Sequence, residues 1–211
     1  MDIEIIEKFS SKRNHVYKVK IHTSSSAVLA VMKKYEKERA HLLAVEYNNL
    51  NMLRRAGLSV PEVIYKDEGS LFLQHIEGIL VNDLAESLDT GDWLDELALW
   101  MSKLHQMSAG AFSMLKGDVN LKNFIYSDNK IYGLDFEEMK RGDGRMDLAD
   151  LCFFMLTNAP SFTKEKHLMM RKLLKSYEKY SGSELKDMAG YLLLSKAEAK
   201  IRRDRSNYKN I

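Results

Sequence analysis

Up to Gly78 the hydrophobic period of this chain is mostly two, interrupted by one helical stretch, and beyond it mostly about 3.6, which points to a β-rich first part followed by a mainly helical remainder. His15-Val16-Tyr17-Lys18-Val19-Lys20-Ile21 alternates apolar and polar residues. Ala27 to Met32 reads as a second, more continuously apolar strand, with Ser24-Ser25-Ser26 as the hairpin turn. From Glu36 to Ala56 the spacing is helical, with Leu43, Glu46, Tyr47, Leu50 and Leu53 on one stripe, and Gly57 followed by Pro61 stops it. Val60 to Tyr65 and Leu71 to Ile76 flank the turn Lys66-Asp67-Glu68-Gly69-Ser70 as another strand pair. After Glu77-Gly78, helical stripes recur: Trp93, Leu97, Trp100, Met101 and Leu104; then Leu148, Leu151, Cys152 and Met155; then Met170, Leu173, Leu174 and Tyr177. The expected class is α+β. Residues 1–76 form an antiparallel sheet with one helix, residues 77–211 form a helical lobe with one inserted hairpin, and a cleft separates the two.

Composition narrows the functions open to such a chain. At 211 residues and 45% hydrophobic it can bury a core, and Lys+Arg minus Asp+Glu is 32 − 30 = +2, too balanced for a whole-surface trap for nucleic acid or anionic membrane. The C-terminal run Lys196, Lys200, Arg202, Arg203, Arg205 and Lys209 reads first as a solvated helix end and leaves a local RNA or phosphate contact open as the second reading. No apolar run approaches the roughly 20 residues a membrane helix requires. The only cysteine, Cys152, has no intramolecular partner, and Met1-Asp2-Ile3-Glu4 lacks the charge order of a signal peptide, so a cytoplasmic location is expected. The six histidines show no paired metal spacing, which disfavours zinc chemistry.

The chemistry concentrates in Lys116-Gly117-Asp118-Val119-Asn120-Leu121-Lys122-Asn123 and Gly133-Leu134-Asp135-Phe136-Glu137-Glu138. Between them lies a short hairpin, Phe124-Ile125-Tyr126 and Ile131-Tyr132-Gly133-Leu134 around Ser127-Asp128-Asn129-Lys130. Its arms return the chain to its start, so Asn123 and Asp135 should lie side by side with Asp118 at a loop tip. An amide oxygen and a carboxylate suit Mg²⁺, a hard cation that keeps positions for phosphate oxygens and water. Phosphoryl transfer also calls for a strand lysine positioned by a helix glutamate. Lys33 ends the second strand, and Glu46 lies within an apolar stripe where a lone carboxylate would be costly to desolvate. Lys34 is the competitor, since a slip of one residue turns the side chain to the other strand face.

These segments resemble the protein-kinase-like superfamily, in particular its aminoglycoside phosphotransferase and choline kinase branch. Asp118 to Asn123 is similar to the D-x-x-x-x-N catalytic loop, and Asp135-Phe136-Glu137 to the metal-binding Asp-Phe-Glu. The resemblance implies that Asp118 accepts the proton of the attacking hydroxyl, that Lys33 held by Glu46 contacts the phosphates, and that Asn123 and Asp135 hold Mg²⁺ on ATP. Phe9-Ser10-Ser11-Lys12-Arg13-Asn14-His15-Val16-Tyr17 resembles the phosphate-covering turn without its glycine, with Ser10, Ser11 and Lys12 as contacts. Gln74-His75-Ile76-Glu77-Gly78 resembles the hinge whose backbone binds adenine. Lys116 departs from the family, which carries histidine there, while Asp147 resembles an aspartate that hydrogen-bonds the catalytic loop and would equally serve as a helix N-cap. His105 reads as packing.

The implied function is transfer of the ATP γ-phosphate to a hydroxyl of an unidentified small molecule. One alternative is a small atypical Ser/Thr protein kinase, similar to the RIO kinases or the kinase of the tRNA threonylcarbamoyladenosine machinery. Another is a nucleotide-binding regulatory module with little catalysis. A two-metal hydrolase built on Asp118, Asp135 and Asp143 leaves the Lys33/Glu46 pair unexplained.

Overall fold

The computed structural model describes residues 2–11, 14–22, 26–107 and 112–208, and for 202–208 the backbone alone. Lys12, the Ser24-Ser25 turn, Lys209 and the side chains of Arg202, Arg203 and Arg205 lie outside the described residues. Two compact units form: Met1–Gly78 with Tyr132–Glu137, and Ile79–Ile131 with Glu138–Ile211.

In the first unit, β1 (Asp2–Phe9), β2 (His15–His22), β3 (Ala27–Lys34), α1 (Ala40–Arg55), β4 (Val63–Lys66) and β5 (Ser70–Gln74) follow in sequence. The five strands pair antiparallel in the order β1-β2-β3-β5-β4. The alternation read in β2 buries Val19 and Ile21, which pack with Ala30 of β3 against Phe72 of β5, with Ile3, Tyr17 and Met32 around them. On α1 the stripe buries Leu43, Glu46, Leu50 and Leu53. Strand β1 was not legible in the sequence. Ile5 and Ile6 are consecutive and exposed at 58% and 48%, and the β1–β2 register slips between Ile5 and Glu7. An edge strand with hardly a buried face leaves no alternation to read.

The second unit holds β6 (Ile79–Leu80), α2 (Val81–Glu86), α3 (Trp93–Gln106), β7 (Ser113–Leu115) and β8 (Phe124–Ser127). Next come β9 (Lys130–Gly133), which carries the chain toward Tyr132–Glu137, then β10 (Lys140–Gly142), α4 (Gly144–Thr157), α5 (Lys164–Ser181) and α6 (Met188–Tyr208). The β8–β9 turn places Asp128 and Asn129 at φ 49° and 56°, the left-handed pair that a tight hairpin demands and that Asp and Asn tolerate. β7 and β10 pair with each other but have three residues each, too few for a periodic signal. Helix α3 packs on α5 and α4 on α6. On α5 the buried face is Lys166, Met169, Leu173, Ser176 and Tyr177, so it runs through Met169 rather than the expected Met170 and Leu174. No helix among the described residues is long and apolar enough to cross a membrane.

Asp143 caps α4, accepting from the Arg145 backbone N–H at 3.0 Å, from the Arg145 guanidinium at 2.6 Å and from the Tyr191 hydroxyl of α6 at 2.8 Å. Asp147 therefore does not take the N-cap role. The Arg145 side chain holds the Asp143 carboxyl well below the usual carboxylate range, against a smaller opposing effect of burial. A carboxylate depressed by folding stabilises above its unfolded pKa of about 4 and loses that contribution as pH falls. The stability difference between wild type and Asp143→Asn should therefore shrink on acidification from pH 7 to pH 2, which denaturant titration at several pH values measures. In the core, Leu97→Ala of α3 removes a fully buried side chain. Its melting temperature should fall by roughly 5 to 15 °C, whereas Leu193→Ala on α6, 67% exposed, should change it little.

Candidate functional site

Within the first unit, the pleat of β3 decides which lysine is held. Lys33, opposite Leu71 of β5 and Val16 of β2, points inward and is 7% exposed, while Lys34 is exposed on the other face. The Lys33 ammonium donates to Glu46 Oε2 at 2.6 Å and to Asp135 Oδ1 at 3.0 Å, and lies 2.8 Å from Glu137 Oε1. The Tyr35 hydroxyl also donates to Glu46, and the Arg39 guanidinium donates to Glu137 Oε2 at 3.0 Å. Burial alone would favour the neutral amine, but Glu46, Asp135 and Glu137 outweigh it and hold the Lys33 pKa above the usual lysine value. Burial likewise pushes the Glu46 carboxyl up, against the pull of Lys33. Lys33 stays an ammonium, and Glu46 is its counter-ion.

Burial separates the roles of the three carboxylates. Oxygens of Glu46, Asp135 and Glu137 lie within 4.8 Å of one another, a spacing that would admit a metal ion. The Lys33 ammonium already occupies their midst, however, and the Glu46 and Glu137 side chains are only 1% and 3% exposed. Asp135, at 42%, is the carboxylate of this set with a face open to a ligand. It sits at φ 58°, a conformation that costs a non-glycine residue about 1 kcal/mol and requires support. Helix α1 gives that support to the next residue: Glu46 Oε1 accepts from the Phe136 N–H at 3.4 Å, and Asn49 Nδ2 donates to the Phe136 carbonyl at 2.8 Å. Glu46 and Asn49, three apart on one helical face, thus hold both polar groups of one peptide residue while its ring is fully buried. Asn49 carries no sequence signal beyond that spacing.

Ser10 and Ser11 are exposed, and Ser11 Oγ accepts from the Asn14 N–H at 3.4 Å. Gln74 ends β5, its side-chain oxygen accepting from the Glu62 N–H at 3.3 Å. His75 and Ile76 follow outside the ladder, half-buried, and burial with Lys18 lowers the His75 pKa.

Within the second unit, Asp118 and Asn123 share one compact loop. The Asp118 carboxylate accepts from the Asn120 N–H at 3.2 Å. The Asp118 carbonyl accepts from Asn123 Nδ2 at 3.2 Å and from the Lys116 ammonium at 2.8 Å. Lys116 is fully buried, with its ammonium 5.4 Å from the Phe124 ring centroid. Asn123 donates its Nδ2 within the loop, so Oδ1 is the atom it can offer outward, an oxygen that fits a hard cation. Asp147 accepts from the Lys116 N–H at 2.6 Å and from the Gly117 N–H at 3.2 Å. His105 is more than packing: Nε2 lies 3.4 Å from Asp147 Oδ2, and Nδ1 lies 2.9 Å from the Tyr177 hydroxyl. A carboxylate only accepts, so Nε2 carries the proton and Nδ1 accepts from Tyr177, whose pKa burial pushes up to about 12.

No protein family and no curated protein sequence matches the chain. Among solved structures it is similar to the ADP-bound aminoglycoside phosphotransferase APH(2'')-Ib, with 14% identity, TM-score 0.66, and coverage of 92% of this chain and 81% of that one. It is similar to the macrolide 2'-phosphotransferase MphH of Brachybacterium faecium, at 14% identity, TM-score 0.67, and coverage of 90% and 81%. The choline kinase of Cryptosporidium parvum aligns at 13% identity, TM-score 0.64, and coverage of 90% and 77%. The fold is the α+β, protein-kinase-like fold. It is similar to the fold of aminoglycoside phosphotransferases, a macrolide phosphotransferase and choline kinase.

The geometry of the loop around Asp118 yields a stability test. Gly117 sits at φ 83°, and a Cβ there would lie 2.3 Å from the Glu138 carbonyl oxygen, so Gly117→Ala must displace backbone. Asp147→Asn leaves one of the two N–H groups, of Lys116 or Gly117, facing a donor, at about 1 to 3 kcal/mol. Thermal unfolding should show Gly117→Ala and Asp147→Asn both melting several degrees below wild type.

Proposed function

We propose that the chain is an ATP- and Mg²⁺-dependent phosphotransferase that moves the γ-phosphate to a hydroxyl of a small molecule. The observation that carries this reading is the buried Lys33–Glu46 pair with the half-open Asp135 carboxylate beside it. Similar solved structures include a streptomycin–ATP ternary complex and an ADP–streptomycin complex of aminoglycoside phosphotransferases, which supports a nucleotide and a small-molecule acceptor. On this reading residues 1–76 are the nucleotide-binding lobe and 77–211 the catalytic helical lobe, and the protein works in the cytoplasm.

The roles follow from the chemistry of each group. Lys33, a fixed point charge, neutralises phosphate oxygens of ATP, and Glu46 aims it. Backbone groups of the Ser10–Ser11 turn lie over the phosphates, and the backbone at Gln74, His75 and Ile76 binds adenine. Asn123 and Asp135 would supply oxygen ligands to Mg²⁺, which would screen the phosphate charge. The acceptor hydroxyl gives its proton to the Asp118 carboxylate as its oxygen bonds to the γ-phosphorus, and the bond from that phosphorus to the β-bridging oxygen breaks to release ADP. The Lys116 and Asn123 hydrogen bonds to the Asp118 carbonyl hold that carboxylate's backbone in place.

A screen of aminoglycosides, choline, sugars, nucleosides and basic proteins for labelled phosphate transfer tests the reading and identifies the acceptor. With the acceptor in hand, Asp118→Asn should bind Mg·ATP within about threefold of wild type and transfer phosphate at least roughly a hundredfold more slowly. Equal rates in the two proteins would remove Asp118 from the chemistry. Phosphorylation of proteins alone would favour the protein-kinase alternative.

A further inference from the structure

Glu137 sits in a buried polar network that phosphoryl transfer does not by itself require. Both of its oxygens are taken: Oε1 accepts from Asn14 Nδ2 at 2.6 Å and lies 2.8 Å from the Lys33 ammonium, and Oε2 accepts from Arg39 at 3.0 Å. The three donors come from three places, the residue immediately before β2, the end of β3 and the short 3₁₀ turn Lys37–Arg39 that leads into α1. Two cations meet Glu137, which makes it an acceptor for other side chains and leaves the outward-facing carboxylate to Asp135.

Asn14 tells what this network is for. Its side chain is buried, with the residue 6% exposed, yet Oδ1 finds no hydrogen-bond partner among the described residues. The amide cannot be turned round to repair this, because a carboxylate accepts only and Nδ2 must face it. Burying an unsatisfied acceptor is costly, so an apolar residue would serve stability better. What Asn14 supplies is the bond to Glu137. The segment from Phe9 to Tyr17 also lacks the glycine that lets a backbone close over phosphates unaided.

We propose that Glu137 is a positioning residue that clamps the glycine-free turn, through Asn14, and the Lys33 ammonium to one carboxylate, fixing the two elements that address the nucleotide's phosphates. This rests on the phosphotransferase reading and adds a function to a residue next to its metal-binding aspartate. Glycine's close backbone approach is replaced here by a side-chain tether, and Arg39 balances the charge that the tether requires. Because the clamp acts on phosphate-directed groups alone, loosening it should weaken binding of ATP and leave AMP, which lacks the outer phosphates, unaffected.

The test measures dissociation constants for Mg·ATP and for AMP, by titration calorimetry with competition, in wild type, Asn14→Ala, Glu137→Gln and the double variant. Asn14→Ala should weaken Mg·ATP by about five- to tenfold and AMP by less than twofold, with a melting temperature within about 3 °C of wild type. Glu137→Gln should weaken Mg·ATP more, and the double variant should lose less than the product of the single effects, since both break one clamp. Wild type that binds Mg·ATP alongside an Asn14→Ala variant that binds it equally well, or that loses ATP and AMP in equal proportion, overturns the clamp and leaves the phosphotransferase reading standing. Wild type without saturable Mg·ATP binding overturns both. Should Glu137→Gln fail to fold, Asn14→Ala and Arg39→Ala decide, the latter expected to weaken Mg·ATP selectively.

Discussion

One buried ammonium organises the first unit. Lys33 is held by three carboxylates from two separate stretches of chain, Glu46 on α1 and Asp135 and Glu137 in the segment Tyr132–Glu137. A lone ammonium at this depth would lose its charge, and the buried Glu46 carboxylate would be driven toward protonation without it. Their mutual dependence explains why residues 132–137 group with residues a hundred positions earlier. Helix α1 completes the attachment by holding both backbone polar groups of Phe136.

In the second unit a different device holds the loop around Asp118. There the fixed points are backbone groups: Asp147 takes the N–H groups of Lys116 and Gly117, while the Asp118 carbonyl takes Lys116 and Asn123. Gly117 is required because the loop turns through a positive φ against the Glu138 carbonyl. His105 and Tyr177 extend the network outward from Asp147. A buried ammonium donating to a carbonyl is a compact way to fix this loop.

The motif residues stood out in the sequence because their types are out of place: acids and amides at strand ends, a glutamate in an apolar stripe, a lysine ending an apolar strand. Their supporting residues did not. Asn14, Arg39, Asn49 and His105 are ordinary polar residues in turns or on helix faces, and each acquires a role from a partner distant in the chain, Glu137 at separations of 123 and 98 for the first two. Strand β1 and the short β7–β10 pair were hidden for another reason, since an exposed edge and three-residue strands bury too little to impose a pattern.

The amino-acid order by itself determined the α+β class, the change from sheet to helix after Gly78, and the residue types available for phosphate and cation chemistry, because these follow from local periodicity and from the cost of placing charge in an apolar stripe. Tertiary structure alone decided that Lys33 rather than Lys34 turns inward, that Asp135 rather than Glu46 or Glu137 keeps an open face, and that Asp147 binds the loop while Asp143 caps α4. Those outcomes depend on strand register and on which distant donors reach each oxygen. Such pairings carry no local signature, since they form only when the chain has closed on itself.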